Sequence, residues 1–467
     1  MSLLKGYIVP HPPILVMGAQ EEKETLSKTL ASYNQVSEEL ASSDAELVVL
    51  ITPHGPLFVD GLCVYDQERI SGNFSSFGHR EITGTWDNDI SFINALQKKT
   101  MEEEIPFVKL DHAIVREFNL SSELDHGAMV PLKLLERGLK GKKVVVINYG
   151  LLPVDTLYKF GCLLTATLEE ENKKGIVIAS GDLSHYLSER GPYGYREEGV
   201  HFDHQYVKAF TEGQWEKLLF VDEDLQKQAG ECGKRSIEIL LGAFDAYVYS
   251  TETLSYEGPF GVGYLTGSLT PTGKNEVTRL TAIGKMQGER IQAHIKKESP
   301  VVALARKSIQ LYLDEDVTYR PEEPLAIEES GQRQGVFVSL KDAGGLRGCM
   351  GSTGGIAPSV EEEIVDMAIK AATKDPRFDG VASDEVDRLK ISVDILSKSV
   401  QVMDVNELDP SVYGVIVKSN HKHGLLLPNL EGIETIEDQL SIVLNKAGIN
   451  PEDEEYDLYK FTVKRFY

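Results

Sequence analysis

Four histidines in the first half of the chain occupy positions from which they could bind one metal ion. His11, in PHPP at 10–13, and His54, in TPHG at 52–55, each follow a compact apolar run. His126, in DHG, and His185, in SGDLSH, follow later elements. Each histidine alone would be an ordinary turn or core residue, but ligands bind beyond the carboxyl ends of strands in open α/β sheets. The shared position therefore predicts that the four imidazoles converge at one edge of a sheet.

The sequence offers two candidates for the third ligand of a metal that two of these histidines would hold. Two imidazoles and one carboxylate with open positions are typical of non-haem Fe(II) oxygenases, and Glu231 in AGECGKR is the candidate carboxylate. Glu231 could instead cap the helix expected from about residue 236. Cys232 offers a thiolate at the same place, and a His, His, Cys set favours zinc or copper. Zinc with an open position could also activate water for hydrolysis, so the metal and the reaction stay open.

The elements that must position these residues form an α/β sheet with covered faces. Amphipathic stretches of helical character separate the apolar runs, and a β-rich segment at 255–266 closes the region. Continuous apolar runs are typical of strands that are buried on both faces. The strand candidates are 6–9, 47–51, 144–147 and 176–179.

The second half of the chain has a different, α+β order. We expect helices at 303–313 and 361–373, strands at 335–340 and 390–396, and one final strand near 459–464. We therefore predict two domains, at 1–272 and 296–467, joined by a linker at 273–295.

Composition excludes several classes of protein. The length of 467 residues suits two or three domains, and 48 Lys and Arg against 73 Asp and Glu give a net charge of −25. This charge repels phosphate backbones and anionic lipid headgroups, so nucleic acid and membranes are poor partners. An apolar run of about 18 residues is absent from the sequence, and we expect a cytoplasmic protein. The four cysteines are far apart, which argues against a disulfide framework or a zinc ribbon.

The first half resembles the LigB-type class III extradiol ring-cleavage dioxygenase superfamily and its Memo-like relatives. The motifs PHPP, TPHGP, DHG, GDLSHY and AGECGKRSI carry the resemblance, in this order over residues 1 to about 270. It implies that His11, His54 and Glu231 hold Fe(II), that His185 is the catalytic acid and base, and that His126 lines the same pocket. The implied reactants are a catechol-like small molecule and O2.

One departure from the dioxygenase pattern changes what the resemblance implies. Memo-like relatives use a cysteine where dioxygenases use the glutamate, and this chain has both, as Glu231 and Cys232. The alternative function is a metal-binding, redox or assembly module without ring-cleavage activity, holding Fe or Cu. Asp182 could orient His185 or, equally, cap the turn that follows a strand.

The second half resembles the AMMECR1 family. The segments on which this resemblance is based are LRGCMG at 346–351, KDPRF at 374–378, a strand at 389–396 and GLLLP at 424–428. Memo-like, AMMECR1-like and radical-SAM proteins look like parts of one system, termed AmmeMemoRadiSam, so the resemblance suggests a radical-SAM partner. The sequence leaves open whether the chain forms a homo-oligomer.

A second site in this half could involve Arg347 and Cys349. Glycines at 344–355 are expected to form a tight loop whose backbone a ligand can approach. Arg347 could bind an anion there, with Asp375 or Arg377, and a neighbouring arginine would lower the thiol pKa if Cys349 were reactive. In the alternative, Cys349 is buried and a core carboxylate holds Arg347.

Overall fold

The computed structural model describes residues 1–58, 61–118, 120–342, 345–419, 421–428, 435–450 and 455–467. The chain divides into two compact units, Met1–Lys285 and Met286–Tyr467. The predicted linker, 273–295, contains the end of one strand and a 16-residue helix, Leu280–Ile295, within which the division falls. Among the described helices, none combines the length and apolar character that crossing a bilayer demands.

The first unit alternates strands with helices. Its strands are β1 (Leu3–Val9), β2 (Leu47–Thr52), β3 (Leu62–Tyr65), β4 (Arg69–Phe74), β5 (His79–Asp87), β6 (Phe107–Leu110), β7 (Lys143–Asn148), β8 (Gly175–Ser180), β9 (Tyr247–Glu257) and β10 (Tyr264–Lys274). Its helices are α1 (Ile14–Met17), α2 (Gln20–Thr25), α3 (Ser27–Ser42), α4 (Ile90–Glu102), α5 (His112–Glu117), α6 (His126–Leu134), α7 (Val154–Glu170), α8 (Glu197–Thr211), α9 (Trp215–Leu219), α10 (Glu223–Ala229) and α11 (Lys234–Ala243), with a 3₁₀ helix at Ser75–Phe77. Helix α12 (Leu280–Ile295) begins in this unit and ends in the second.

Eight of these strands form one mixed sheet, in the order β6-β3-β7-β2-β8-β1-β10-β9. The central strands β7, β2, β8 and β1 are parallel, while β10 and β9 add antiparallel strands at one side. The four strands expected from apolar runs are these four parallel ones, and the predicted α/β class is confirmed.

Apolar side chains cover both faces of the sheet. Successive residues of a strand point to opposite faces, so Val49 and Ile51 join one core cluster while Val48 and Leu50 join the other. All six residues of β2 are buried. An uninterrupted apolar run therefore marks a strand with helices on both sides, and only its carboxyl end is free to present polar groups.

The second unit contains two antiparallel four-stranded sheets. Their orders are β12-β11-β13-β18 and β14-β17-β15-β16, and the predicted α+β class is confirmed. The elements are α13 (Pro300–Glu315), β11 (Val336–Asp342), β12 (Gly345–Gly351), α14 (Val360–Thr373), β13 (Lys390–Leu396), β14 (Val400–Gln401), β15 (Gly414–Ser419), β16 (Lys422–Leu426), α15 (Ile436–Ala447), β17 (Asp457–Phe461) and β18 (Val463–Phe466), with 3₁₀ helices at Ser383–Arg388 and Val405–Glu407.

Two sequence expectations for this unit are wrong. The single strand expected at 459–464 is divided at Thr462, because β17 pairs with β15 in one sheet and β18 pairs with β13 in the other. The glycine-rich segment is not a loop over 345–351 but strand β12, and Gly344 lies outside the described residues. Glycine serves close packing there, since a Cβ on Gly348 would lie 2.2 Å from the Ala371 carbonyl oxygen.

Candidate metal centre

The first unit presents three possible metal ligands at the carboxyl edge of its parallel strands. His11 lies two residues beyond β1 and His54 two residues beyond β2, and β8 lies between these strands in the sheet. Cys232 comes from the turn that precedes helix α11. Because parallel strands end at the same edge, residues far apart in the sequence meet there.

The donor atoms of these residues are close enough to share one ion. His54 Nε2 lies 3.0 Å from His11 Nε2, and Cys232 Sγ lies 3.6 Å from the same atom. Within the described ranges, the three donor atoms all lie within 4.8 Å of one another. A transition metal bound at about 2.0–2.1 Å from nitrogen and about 2.3 Å from sulfur separates its ligand atoms by about 3–4 Å. The donor set therefore fits such an ion.

Burial sets the protonation of the ligands. His11 is 1% exposed, and desolvation together with neighbouring histidines lowers its pKa well below the usual value. Desolvation lowers the pKa of His54 to about 4. Both imidazoles are therefore neutral at pH 7, which is the form that binds a metal. Burial raises the pKa of the Cys232 thiol, so a bound cation would have to displace its proton.

The turn that carries Cys232 is fixed by the segment after β8. The carbonyl oxygen of Asp182 accepts hydrogen bonds from Cys232 N at 3.2 Å and Gly233 N at 3.0 Å, and Asp182 N donates to Cys232 Sγ at 3.3 Å. A Cβ on Gly181 would lie 2.0 Å from Gly233 Cα. Glycine is thus needed at 181 for the two backbones to approach. Among its described contacts, Asp182 also accepts from His11 N at 2.9 Å, so it orders these two segments rather than His185.

Glu231, the carboxylate candidate, lies outside this group of three. Its Oε1 accepts from the Gln226 side-chain amide at 2.7 Å, and its Oε2 accepts from Lys234 N at 2.6 Å, in the first turn of α11. A carboxylate in this position satisfies a free backbone N–H and favours the positive end of the helix dipole. The structure thus gives Glu231 the capping role that the sequence had offered as its alternative.

The two other predicted histidines lie beside the ligands. The His126 ring stacks on His54, with centroids 4.4 Å apart, and meets the edge of Phe77 at 5.4 Å. His185 stacks on Tyr193 at 5.1 Å, and it is close enough to His54 to contribute to the low pKa of that residue. Burial lowers the pKa of His126 and lowers that of His185 to about 4. All four predicted histidines therefore belong to one region.

Sequence reasoning missed three side chains around this region. Ser180, the last residue of β8, contacts His11 Nδ1 at 2.9 Å. Phe77 and Tyr193 are 43% and 56% exposed and place aromatic rings against His126 and His185. Only Ser180 had a signal in the sequence, because its strand-end position matches that of the histidines.

The second-unit candidates are held by other protein groups. Arg347 donates to the carbonyl oxygens of Asp379 at 2.7 Å and Gly380 at 3.2 Å, and it pairs with Glu385 at 3.0 Å. A carboxylate thus holds Arg347, as in the alternative interpretation. Partly buried Cys349 lies in β12, with Sγ 3.3 Å from Ser339 Oγ.

A carboxylate and a different arginine adjoin Cys349. Cys349 N donates to Asp375 Oδ2 at 2.8 Å. Arg377 binds both oxygens of Asp375, at 2.9 and 2.7 Å, and this contact lowers the pKa of Asp375 to about 2. Arg377, rather than Arg347, is therefore the arginine next to the thiol.

The fold and the centre define the class of the protein, an α/β domain with a histidine-rich edge followed by an α+β domain. Family comparisons give the same division. Residues 5–267 match the model of the LigB family, described as the catalytic LigB subunit of aromatic ring-opening dioxygenase. Residues 302–466 match the AMMECR1 family. The chain belongs to the LigB family through its N-terminal domain and carries an AMMECR1 domain after it.

Relatives match either the whole chain or one part of it. Protein CA_C1420 of Clostridium acetobutylicum is 38% identical over 468 residues, covering 100% of this chain and 99% of that protein. A Thermotoga maritima protein is 45% identical over 170 residues, covering 36% of this chain and 98% of its own length. Among solved structures, Escherichia coli K12 protein JW3007 matches with a TM-score of 0.41 at 14% identity, covering 57% of this chain and 99% of that chain. Pyrococcus horikoshii protein PH0010 matches with a TM-score of 0.33 at 31% identity, covering 35% of this chain and 88% of that chain.

Proposed function

We propose that the N-terminal domain is a metal-dependent oxidoreductase acting on a small molecule, with the metal held by His11, His54 and Cys232. The observation that carries this proposal is the approach of Cys232 Sγ to His11 Nε2, at 3.6 Å, while both oxygens of Glu231 bond to other groups. The LigB family description supports oxidation as the reaction, and an aromatic molecule with O2 as the reactants.

The surrounding side chains suit such a reaction. Three protein ligands leave positions open, and a bound Fe or Cu ion would supply a redox centre there. His126 and His185 are neutral at pH 7, since burial lowers their pKa, so each has one ring nitrogen with a free lone pair, the form that a general base requires. The rings of Phe77 and Tyr193 offer apolar surface to a planar substrate.

Metal analysis of the full chain, purified without oxygen, tests the ligand set. We expect about one Fe or Cu per chain in the wild type, loss in His11→Ala and in Cys232→Ser, and retention in Glu231→Gln. Glu231→Gln is the matched control because it removes the neighbouring carboxylate. Zinc alone, or protein that binds none of these metals, would overturn the oxidoreductase proposal.

The family description, an aromatic ring-opening dioxygenase, favours ring cleavage as a second candidate. By the sequence resemblance this reaction would be Fe(II)-dependent extradiol cleavage of a catechol, with Glu231 as the third ligand. It requires the Glu231 carboxylate to leave Gln226 and the α11 N-terminus. The same experiment separates the candidates, because iron lost in Glu231→Gln and kept in Cys232→Ser would select this one. Oxygen uptake with a panel of catechols would then identify the reaction.

We also propose a radical-SAM enzyme as the partner of this chain, on the resemblance of its two domains to the AmmeMemoRadiSam system. Co-expression of the chain with a radical-SAM protein from the same genome tests the pairing. Co-elution in anaerobic size-exclusion chromatography would support it, and separate elution at micromolar concentration would contradict it.

A further inference from the structure

We propose that Ser180 is a positioning residue that fixes the tautomer of His11, so that the Nε2 lone pair points to the metal centre. The inference deepens the proposed function and rests on it for the consequence in metal affinity. The tautomer itself is a property of the metal-free protein.

The argument starts from the single hydrogen of the Ser180 hydroxyl. Ser180 is fully buried at the end of β8, with Oγ 2.6 Å from the Gly127 carbonyl oxygen and 2.9 Å from His11 Nδ1. A carbonyl oxygen can only accept, so Ser180 must donate its hydrogen to Gly127. Toward His11 the hydroxyl oxygen can therefore only accept, which places the N–H of the neutral imidazole on Nδ1.

The opposite side of the His11 ring then carries the lone pair. That atom, Nε2, is the one that lies 3.0 Å from His54 Nε2 and 3.6 Å from Cys232 Sγ. The hydrogen bond to Ser180 thus selects the nitrogen that belongs to the proposed donor set. An outer partner of this kind orients the ring and makes the ligand more basic.

The Gly127 carbonyl is itself held in place. Asp125 caps helix α6, accepting from Ala128 N at 3.2 Å and from Thr52 Oγ1 at 2.8 Å. A Cβ on Gly127 would lie 2.6 Å from Thr52 Oγ1, so the first turn of α6 lies directly on the end of β2. Strand β2 leads into His54. The first turn of α6 therefore connects the Gly127 carbonyl oxygen, which accepts from Ser180, to the strand that carries the second ligand.

The direct test is the tautomer of His11 in the wild-type full chain without metal. Long-range ¹H–¹⁵N correlation on protein labelled at histidine reports which ring nitrogen carries hydrogen, and the His11 signal is the one missing from His11→Gln. We expect the hydrogen on Nδ1 at neutral pH. A hydrogen on Nε2, or an even mixture, would overturn the proposal.

Zinc binding by variants gives a second readout. We expect Ser180→Ala to bind zinc about 10 to 100 times more weakly and to lose the single tautomer, and Ser180→Thr to retain both. Ser184→Ala is the matched control, because Ser184 is equally buried and donates to the Ala229 carbonyl oxygen at 3.1 Å. The zinc affinity of Ser184→Ala should lie within about threefold of that of the wild type. Unchanged affinity in Ser180→Ala, or an equal loss in both alanine variants, would contradict the proposal.

The two experiments separate this inference from the proposed function. Hydrogen on Nδ1 in a protein that does not bind zinc, iron or copper would support the Ser180 contact and overturn the metal centre. Tight zinc binding by protein with hydrogen on Nε2 would leave the centre standing and overturn the role of Ser180. If Ser180→Thr does not fold, the wild-type tautomer decides.

Discussion

His11 and His54 face each other through their Nε2 atoms, 3.0 Å apart, although they follow strands that are not neighbours. Strand β8 lies between β1 and β2, and its last residue, Ser180, contacts His11 from the other side of the ring. The centre is therefore built around the end of β8, and the segment beyond that strand also holds the turn of Cys232. Substitutions in this segment should affect the centre without touching a ligand.

Gly181→Ala is the sharpest such substitution. A Cβ there would lie 2.0 Å from Gly233 Cα, in the turn that carries Cys232, and neither backbone can yield as a flexible side chain could. We expect a loss of about 3 kcal/mol in unfolding free energy and a large loss of zinc affinity. Gly273→Ala is the control, since its added Cβ would meet no atom within 4 Å. Urea unfolding followed by tryptophan fluorescence measures the unfolding free energy of the first unit, because Trp86 and Trp215 both lie there. Equal stability of the two variants would contradict the prediction.

Glu231→Ala should weaken the fold rather than the centre. Its carboxylate caps the first turn of α11 through Lys234 N and also binds Gln226. We expect a loss of about 1–2 kcal/mol in unfolding free energy of the metal-free first unit, measured with urea. Glu189→Ala, an exposed glutamate in the loop after β8, should change stability by less than about 0.5 kcal/mol. A Glu231 variant as stable as the control would show that the cap contributes nothing.

The choice between Glu231 and Cys232 illustrates what sequence can and cannot predict here. The four central strands followed from continuous apolar runs, and the convergence of the histidines followed from their positions after strands and later elements. Which of two adjacent residues faces the centre depends on how the backbone enters α11. That direction is set by hydrogen bonds to Asp182, which is 50 residues earlier in the sequence. The local sequence around residues 231 and 232 does not predict such a distant contact, so the sequence could not decide which of the two is the third ligand.

The second unit shows the same limit in its sheets. The segment near Thr462 has the composition of one strand, but it changes sheets, because β17 and β18 find different partners. Glycines before and after Cys349 resembled a loop, whereas their lack of a side chain admits Ala371 and Phe337 against β12. Both errors come from contacts between elements distant in the sequence.

Asp203→Asn should change how stability depends on pH. Burial raises the pKa of Asp203 from 3.8 to about 7, so the native state holds a proton that the unfolded chain releases near pH 4. This contribution to stability is complete below pH 3.8 and is lost as the pH rises through 7. Between pH 5 and 8 the wild type should lose about 2–3 kcal/mol more than the variant. Asparagine can keep the contacts with Ser184 N and the Tyr256 hydroxyl but cannot ionise.

Urea unfolding at the two pH values, followed by tryptophan fluorescence, measures this difference. Asp182 titrates in both proteins, but Asp203 contributes to its raised pKa, so the difference between the profiles reports Asp203 together with its effect on Asp182. Parallel pH profiles would show that Asp203 is ionised in the native state at pH 5.

Asp375→Asn should destabilise the second unit. The Asp375 side chain is 3% exposed, binds Arg377 through both oxygens and accepts from Cys349 N. We expect a loss of about 1–3 kcal/mol, since an amide cannot hold the guanidinium in the same way. Asp366→Asn, which breaks a more exposed pair with Lys370, should cost less than about 0.5 kcal/mol. Both tryptophans lie in the first unit, so unfolding of the second unit in urea is followed by circular dichroism, in the transition that tryptophan fluorescence does not report. Equal losses of unfolding free energy in the two variants would refute a special role for Asp375.

His185→Gln should retain the metal and lose turnover. His185 stacks on Tyr193 and lies near the ligands, and burial lowers its pKa to about 4, so its ring is neutral at pH 7 and one ring nitrogen has a free lone pair. Glutamine keeps much of the volume but cannot accept and return a proton, so turnover with a catechol that the wild type oxidises should fall about 10² to 10⁴-fold in an oxygen electrode. Tyr193→Phe is the control, because it keeps the stacked ring and should retain most of the activity. Turnover retained in His185→Gln would assign the proton transfer elsewhere, with His126 the next residue to test because it stacks on His54.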